Sequence, residues 1–158
     1  MNPSILEAFL QIPYGIYVLA TAGPEGPGAM VVSWASQVSY SPPLLMVALR
    51  RNRPAIPFIL DQNLFSLNLL KEGQDDRVDR FKNPLPAEKV TAYFEKISVG
   101  PQEFYRLKAG LAFFACRVVS QNNPGDHLLL VAEALAASAG KGRPLITSEC
   151  GKSYVGRS

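Results

Sequence analysis

The chain has 158 residues, of which 47% are hydrophobic and 18% charged, and its formal net charge is +3. This length and composition predict one globular domain over residues 1–158 with a full hydrophobic core. The charge is too small to indicate nucleic-acid binding, and the longest apolar runs have the length of strands, which argues against a membrane-spanning helix.

The N-terminal third begins with an amphipathic pattern over residues 3–10, which predicts a short helix capped by Asn2. A nearly continuous apolar run over residues 14–21 predicts a buried strand. The glycines of residues 23–28 superficially resemble a phosphate-binding loop. Two prolines interrupt them, and a strand follows where such a loop requires a helix. We therefore interpret this segment as a hairpin loop.

β-Branched residues and serines dominate residues 28–43, which predicts a central strand with two different faces. One face is large and apolar, as a core-facing strand requires. The other is low and mostly polar, and it suits a flat ligand lying against the backbone. The competing interpretation is an ordinary strand with a solvated outer face. The large face comprises Met30, Val32, Trp34, Val38 and Tyr40, and the small face comprises Val31, Ser33, Ala35, Gln37 and Ser39.

The rest of the chain predicts further strands and two short helices. The segment from residue 88 to Gly100 has no readable pattern, and Pro42 and Pro43 interrupt strand pairing because proline donates no hydrogen bond. Most connections between strands have hairpin length, which predicts a mainly β, antiparallel sheet closing into a small barrel with helices at its edges. The predicted strands are 44–49, 64–70, 112–119, 128–135 and a short 144–147, the helices are 54–61 and 74–81, and the turns are 83–87 and 121–126.

Five motifs in this order and spacing resemble the flavin reductase-like family of FMN-binding split β-barrels. The resemblance runs from about residue 13 to residue 135. It implies a homodimer that binds FMN at the subunit interface, with NADH or NADPH reducing the flavin in many members. The motifs are Tyr-Gly-Ile-Tyr-Val-Leu at 14–19, Met-Val-Val-Ser-Trp-Ala-Ser-Gln-Val-Ser at 30–39, Pro-Pro-Leu at 42–44, Phe-Ser-Leu-Asn-Leu-Leu at 65–70 and Gly-Asp-His at 125–127.

A flavin ring needs a flat apolar surface and hydrogen-bond partners for its polar edge, which short side chains and backbone groups can provide. Trp34 can pack against that ring or fill the core. The flavin phosphate needs donors and positive charge, for which the turn after residue 49 is the best candidate; a solvated basic turn is the competing interpretation. The expected cofactor-binding residues are Met30, Val31, Val32, Ser33, Trp34, Ser36, Arg50, Asn52 and Arg53.

Two positions depart from the family pattern. The family often has threonine where this chain has Val31 and a hydroxyl residue where it has Ala55. The single histidine, His127, follows the resemblance more closely, because the histidine of the family's Gly-Asp-His turn lies on the nicotinamide side of the flavin. A turn histidine at the start of a strand is the alternative. We assign no catalytic residue, since hydride transfer needs no acid or base from the protein.

The expected function is an FMN-binding NAD(P)H:flavin oxidoreductase that passes electrons to free flavin or to a partner. The alternative is a non-enzymatic FMN redox carrier that exchanges electrons with another protein. A split barrel without a cofactor, or with a different ligand, is a third possibility. No Cys-x-x-Cys pair is fused to the chain, so a redox partner would be a separate protein.

The remaining reactive side chains predict no further site. Cys116 and Cys150 lack metal-ligand spacing, and without a recognisable signal peptide they indicate reduced cysteines in a cytoplasmic protein. Cys116 lies among apolar strand residues, which predicts a buried, inert thiol. Asp75, Asp76 and Asp79 alternate with arginines, which indicates a solvated helix face and no metal site.

Overall fold

The computed structural model describes residues 2–150. Within this range the chain is mainly β, with short helices, and every pair of strands is antiparallel. The helices are α1 (Pro3–Leu10), α2 (Ile56–Gln62), α3 (Asp75–Lys82) and α4 (Ala87–Thr91); the strands are β1 (Tyr17–Gly23), β2 (Gly26–Val32), β3 (Ala35–Ser39), β4 (Leu44–Arg50), β5 (Leu64–Leu69), β6 (Phe94–Val99), β7 (Gln102–Leu107), β8 (Ala112–Asn122) and β9 (His127–Ala139).

Seven strands form one sheet in the order β2-β1-β5-β8-β9-β4-β3, and β6 pairs with β7 in a separate hairpin. The strands at the two edges, β2 and β3, follow each other in the chain with only Ser33 and Trp34 between them. The backbone N–H of Ala48 in β4 donates to the carbonyl of Trp34 at 2.9 Å. The sheet therefore curls until its two edges meet at this link.

Several local signals in the sequence are confirmed. The side chain of Asn2 accepts from the backbone N–H of Ser4 at 2.9 Å and caps α1, with Pro3 in the first turn. The glycine-rich segment is a tight hairpin in which Gly23 pairs with Gly26. Gly26 has φ +125°, which only glycine adopts readily. The short terminal strand was a wrong prediction, because residues 144 and 146 form only isolated bridges.

The prediction of one continuous strand over residues 28–43 is wrong. The chain crosses from one sheet edge to the other between β2 and β3, and a bulge between Gln37 and Ser39 shifts the register again. Each irregularity breaks the alternation of side chains between two faces. Val38 and Tyr40 therefore do not share a buried face with Met30; they are 49% and 90% exposed.

The hydrophobic core lies on both sides of the curled sheet. Inside it, Met30 and Val32 pack in a cluster with residues of β1, β4, β5, β9 and α2. Outside it, Val31 belongs to a second cluster, formed with α3, α4 and the β6–β7 hairpin. The unreadable segment before Gly100 is thus α4 and β6, whose burial depends on packing against the sheet. Among the described residues, no helix is long and apolar enough to cross a membrane.

The β6–β7 hairpin is attached to the sheet by a buried amide, Asn68 of β5. Its Oδ1 accepts from the backbone N–H of Leu107 at 2.8 Å, and its Nδ2 donates to the carbonyls of Val18 at 3.1 Å and Tyr105 at 3.3 Å. Ser66, two residues earlier, donates to the Tyr105 carbonyl at 2.6 Å. These contacts explain why the motif at residues 65–70 carries Ser and Asn among apolar residues.

Replacing Asn68 by Leu should destabilise the fold. The substitution leaves the Leu107 N–H and the Val18 carbonyl buried without their side-chain partner, and each such group costs about 1–3 kcal/mol. We expect a loss of roughly 2–4 kcal/mol in the free energy of unfolding, measured by urea denaturation. Asn83→Ala, at an exposed position, is the matched control. An Asn68→Leu protein as stable as that control would contradict this role.

Candidate functional site

The register of the sheet brings the Gly-Asp-His turn next to the basic turn. His127 is the first residue of β9, and its backbone pairs with that of Arg50, the last residue of β4. The two segments are 77 positions apart in the sequence, so only this pairing makes them neighbours. The predicted nicotinamide-side residue and the start of the predicted phosphate turn therefore lie at the same end of the sheet.

Two aromatic rings contact Trp34 at this end of the sheet. The rings of Trp34 and His127 have centroids 4.5 Å apart and planes inclined by 31°. The ring centroid of Tyr14 lies 6.3 Å from that of Trp34, with an inclination of 42°. These distances are typical of aromatic contacts. Trp34 is in the link between the two sheet edges, so the closure of the sheet is what brings it against β9.

The indole of Trp34 has an unused donor. Its Nε1 is buried and has no hydrogen-bond partner in the described part of the chain. Leaving such a donor unpaired costs about 1–3 kcal/mol, so it marks a place where a ligand acceptor would be bound favourably. The carbonyl and ring-nitrogen edge of a flavin offers acceptors of this kind. The donor set at Trp34 thus fits the cofactor that the sequence resemblance implies.

His127 is oriented by its neighbour. Its Nδ1 lies 2.7 Å from Oδ1 of Asp126, and its side chain is only 15% exposed whereas that of Asp126 is 87% exposed. This hydrogen bond to His127 lowers the pKa of the Asp126 carboxyl below its usual value, with a smaller contribution from the charge of Arg50. An ionised Asp126 holds the proton of the imidazole on Nδ1 and leaves Nε2 available for another contact.

The residues predicted between positions 30 and 36 divide between the interior and the site. The side chains of Met30, Val31 and Val32 are buried in the two core clusters, so only their backbone could contact a ligand. Ser33 is buried at the link. Ser36 is exposed, and its hydroxyl donates to the Gln37 carbonyl at 3.1 Å. The structure thus brings the side chain of Trp34 to His127, but not those of Met30, Val31 and Val32.

The basic turn continues from Arg50 into α2. The backbone N–H of Arg53 donates to the Arg50 carbonyl at 3.1 Å, and that of Ile56 donates to the Arg53 carbonyl at 3.1 Å. Asn52 is exposed and Arg53 is partly exposed. Ala55 is the N-cap of α2. Its methyl group cannot accept a hydrogen bond, so the helix has no side-chain cap, which a hydroxyl residue at this position could provide.

Sequence reasoning missed two residues of the site. Asp126 was read only as part of a turn, although an acidic residue beside the single histidine is a signal for ring orientation. Tyr14 was read only as a strand residue, and no local signal indicated its contact with Trp34. That contact depends on where the chain before β1 lies relative to the link, which the sequence pattern does not specify.

The other reactive side chains lie elsewhere. Burial raises the pKa of the Cys116 thiol to about 12, which confirms a buried, unreactive cysteine. Cys150 is buried as well. Asp76 and Asp79 are exposed on α3, in agreement with a solvated face. The described residues contain no group of three or more His, Cys, Asp or Glu side chains that could hold a metal ion.

Comparison with known proteins identifies the family. The model of the "Flavin reductase like domain" matches residues 9–151, which is most of the chain. The protein belongs to the flavin reductase-like family. The resemblance drawn from the five motifs is thereby confirmed.

Named members of this family are similar over most of their length. A flavin reductase (NADH) of Kitasatospora aureofaciens is 31% identical over 147 residues, covering 90% of this chain and 75% of the relative. An FMN reductase (NADH) of Methylorubrum extorquens is 29% identical, covering 85% and 78%. The reductase component of a 4-nitrophenol 4-monooxygenase/4-nitrocatechol 2-monooxygenase of Rhodococcus opacus is 28% identical, covering 83% and 69%.

The fold is also that of solved flavin reductases. The flavin reductase component of a bacterial two-component tryptophan halogenase superimposes with a TM-score of 0.80 over 92% of each chain, at 20% sequence identity. The mainly antiparallel β architecture with few helices is therefore shared by flavin reductase structures.

The contact between Trp34 and His127 can be tested by fluorescence. Trp34 is the only tryptophan of the chain, and its ring centroid lies 4.5 Å from that of His127. His127→Ala removes this neighbouring ring and opens the indole to water, so the emission of Trp34 should shift to longer wavelength. Ser98→Ala, at an exposed position of β6, is the control and should leave the emission unchanged. An unchanged emission maximum in His127→Ala would contradict the ring contact.

Proposed function

We propose that the protein is an NADH-dependent flavin reductase that binds FMN and passes electrons to free flavin or to a separate partner protein. The observation that carries the proposal is the ring contact between Trp34 and His127 beside the basic turn that begins at Arg50. Membership of the flavin reductase-like family and relatives named as NADH-dependent reductases support it. We also propose a single cytoplasmic domain over residues 1–158, in line with the family match over residues 9–151.

The residues available fit a flavin mononucleotide in three ways. The unpaired Nε1 of Trp34 would donate to the polar edge of the ring system. Ser33 and the backbone of residues 30–36 would contribute further polar contacts. The guanidinium groups of Arg50 and Arg53, with the amide of Asn52, would neutralise and bind the phosphate. When bound, the flavin supplies the redox chemistry by accepting a hydride from reduced nicotinamide.

His127 would act on the nicotinamide side. Asp126 fixes the imidazole by the hydrogen bond at Nδ1, so Nε2 can pair with a carboxamide or with the edge of the flavin. The contact with Trp34 limits rotation of the imidazole, whose side chain is only 15% exposed. The protein thereby orients two planar reactants, and no proton transfer by a side chain is required.

One relative supports a proposal for the protein that accepts the electrons. One relative at 28% identity is named as the reductase component of a two-component monooxygenase. A separate oxygenase that consumes reduced flavin is therefore the kind of partner we propose. A redox carrier, which would exchange electrons with another protein and react poorly with nicotinamide, is the alternative that the kinetics below distinguish.

Anaerobic stopped-flow reduction of FMN by NADH, and by NADPH, tests the proposed activity. The wild-type protein should reduce FMN rapidly. His127→Ala should lower the rate roughly tenfold to a hundredfold, because one orienting contact of about 1–3 kcal/mol is lost, while FMN affinity stays nearly the same. Gln121→Ala, at an exposed position near the end of β8, is the control.

Three results would count against this assignment. Slow NADH reduction that His127→Ala does not change would favour the redox carrier. Unchanged kinetics with a lower melting temperature would make His127 a structural residue. Failure of FMN to bind the wild-type protein, measured by quenching of flavin fluorescence well above micromolar concentration, would remove the flavin function altogether.

We further propose that the sheet is a split barrel that assembles as a homodimer through the outer face of β4 and β9. In β4 and in the first half of β9, alternate residues are buried inside the sheet and the others are partly exposed. Residues 128–131 are all apolar, but Leu129 and Val131 remain partly exposed within one chain. The partly exposed apolar residues of this outer face are Leu44, Met46, Ala48, Leu129 and Val131.

The flanking strands extend this apolar surface. Val38 on β3 is 49% exposed, Val119 on β8 is 51% exposed, and Tyr40 beside β3 is 90% exposed. Monomeric proteins rarely expose large continuous apolar patches. A second copy of the same sheet would cover these residues by two-fold symmetry. Because Arg50 and His127 lie at the end of the same two strands, the proposed flavin site would border the interface.

Val131→Glu should convert the dimer to a monomer. The carboxylate would be placed beside Met46, its partner across the strand pair, where a second subunit would have to bury it. Sedimentation velocity should show a dimer for the wild-type protein and a monomer for the variant. Ser98→Glu, on the exposed part of β6, introduces the same charge elsewhere and should remain dimeric. A wild-type monomer with flavin bound would contradict the proposal.

A further inference from the structure

We propose that Tyr14 is a positioning residue that holds the indole of Trp34 in the flavin site, and that Thr147 fixes Tyr14 in turn. This inference rests on the proposed function. It adds two residues that neither the sequence motifs nor the family comparison assigns to the site, and it connects the site to the C-terminal segment of the described chain.

Trp34 requires support because it lies between strands. Its carbonyl is bound by the N–H of Ala48, but its ring is outside the regular alternation of β2 and β3. The buried, unpaired Nε1 favours any rotation of the indole that would let it reach water. The ring centroid of His127 lies 4.5 Å from that of the indole, and Tyr14, at 6.3 Å, is the second aromatic residue in contact with it.

Tyr14 is held in place by two hydrogen bonds with a single residue. Its backbone N–H donates to Oγ1 of Thr147 at 3.1 Å, and the N–H of Thr147 donates to the Tyr14 carbonyl at 2.9 Å. The adjacent residues Gly15 and Ile146 form an antiparallel bridge. The backbone of Tyr14 is therefore fixed by Thr147, which limits the positions that its ring can reach.

The segment that carries Thr147 is itself anchored in the core. Leu145 is 2% exposed and belongs to the second hydrophobic cluster. The N–H of Ile16 donates to the Leu145 carbonyl at 2.9 Å, and the N–H of Leu145 donates to the Leu70 carbonyl at 3.0 Å. A chain of contacts therefore connects the core, through Leu145 and Thr147, to Tyr14, whose ring contacts the indole.

Core packing does not account for the position of the Tyr14 ring. Tyr14 is partly exposed. Within residues 2–150 it belongs neither to the two clusters described above nor to a third, smaller one formed around Phe104 and Phe113. Its aromatic neighbour is Trp34. A role in holding that ring explains why an aromatic side chain lies at a point where the core does not need one.

The test uses the full chain, freed of flavin and then titrated with FMN, and reads the emission of Trp34. Tyr14→Ala should shift that emission to longer wavelength and weaken FMN binding roughly tenfold. Tyr14→Phe retains the ring and should restore both properties. Thr147→Val, which removes Oγ1 at constant shape, should act in the same direction as Tyr14→Ala, and Thr147→Ser should restore the wild-type behaviour.

Unchanged emission and unchanged FMN affinity in both Tyr14→Ala and Thr147→Val would overturn the inference, as would a shifted emission with unchanged affinity. If Tyr14→Ala melts at a much lower temperature, the comparison of Thr147→Val with Thr147→Ser tests the inference in its place. Failure of the wild-type protein to bind FMN would refute the proposed function. The emission of the flavin-free variants would then still show whether Tyr14 holds the indole.

Discussion

Only Ser33 and Trp34 connect the two edge strands of the seven-stranded sheet, and a link of two residues can span no more than about 10 Å. This constraint forces the edges together and carries Trp34 from β2 to the side of β4. The register of β4 with β9 then brings His127 next to Arg50. The ring contact and the buried position of the indole nitrogen both depend on this closure.

The inner and outer surfaces of the sheet differ in what covers them. The interior is filled by apolar side chains, including those of β1, β4, β5 and β9, and the outer face of β1 and β2 is covered by α3, α4 and the β6–β7 hairpin. The outer-face residues Leu44, Met46, Ala48, Leu129 and Val131 belong to no hydrophobic cluster within residues 2–150. The proposed site lies at the border of this uncovered face, where a second subunit and a planar cofactor could both bind.

The sequence predicted what local chemistry determines. The cap of α1, the hairpin at Gly23–Gly26, the basic turn at Arg50 and the inert Cys116 could all be read from neighbouring residues. The break between β2 and β3 could not, because Ser33 and Trp34 continue the alternation of the flanking residues. The β6–β7 hairpin was missed because Asn68, about 40 positions away, attaches it to the sheet. The role of Tyr14 was missed because its contacts, with Trp34 and Thr147, are also distant in the sequence.

A crystal structure of the protein with FMN tests the central claim most directly, namely that closure of the sheet at Trp34 creates the flavin site. The account predicts the flavin ring in contact with Trp34 near His127, an acceptor atom within hydrogen-bond distance of the indole Nε1, and the phosphate at Arg50–Arg53. A flavin bound elsewhere on the sheet, with Nε1 of Trp34 still unpaired, would contradict it.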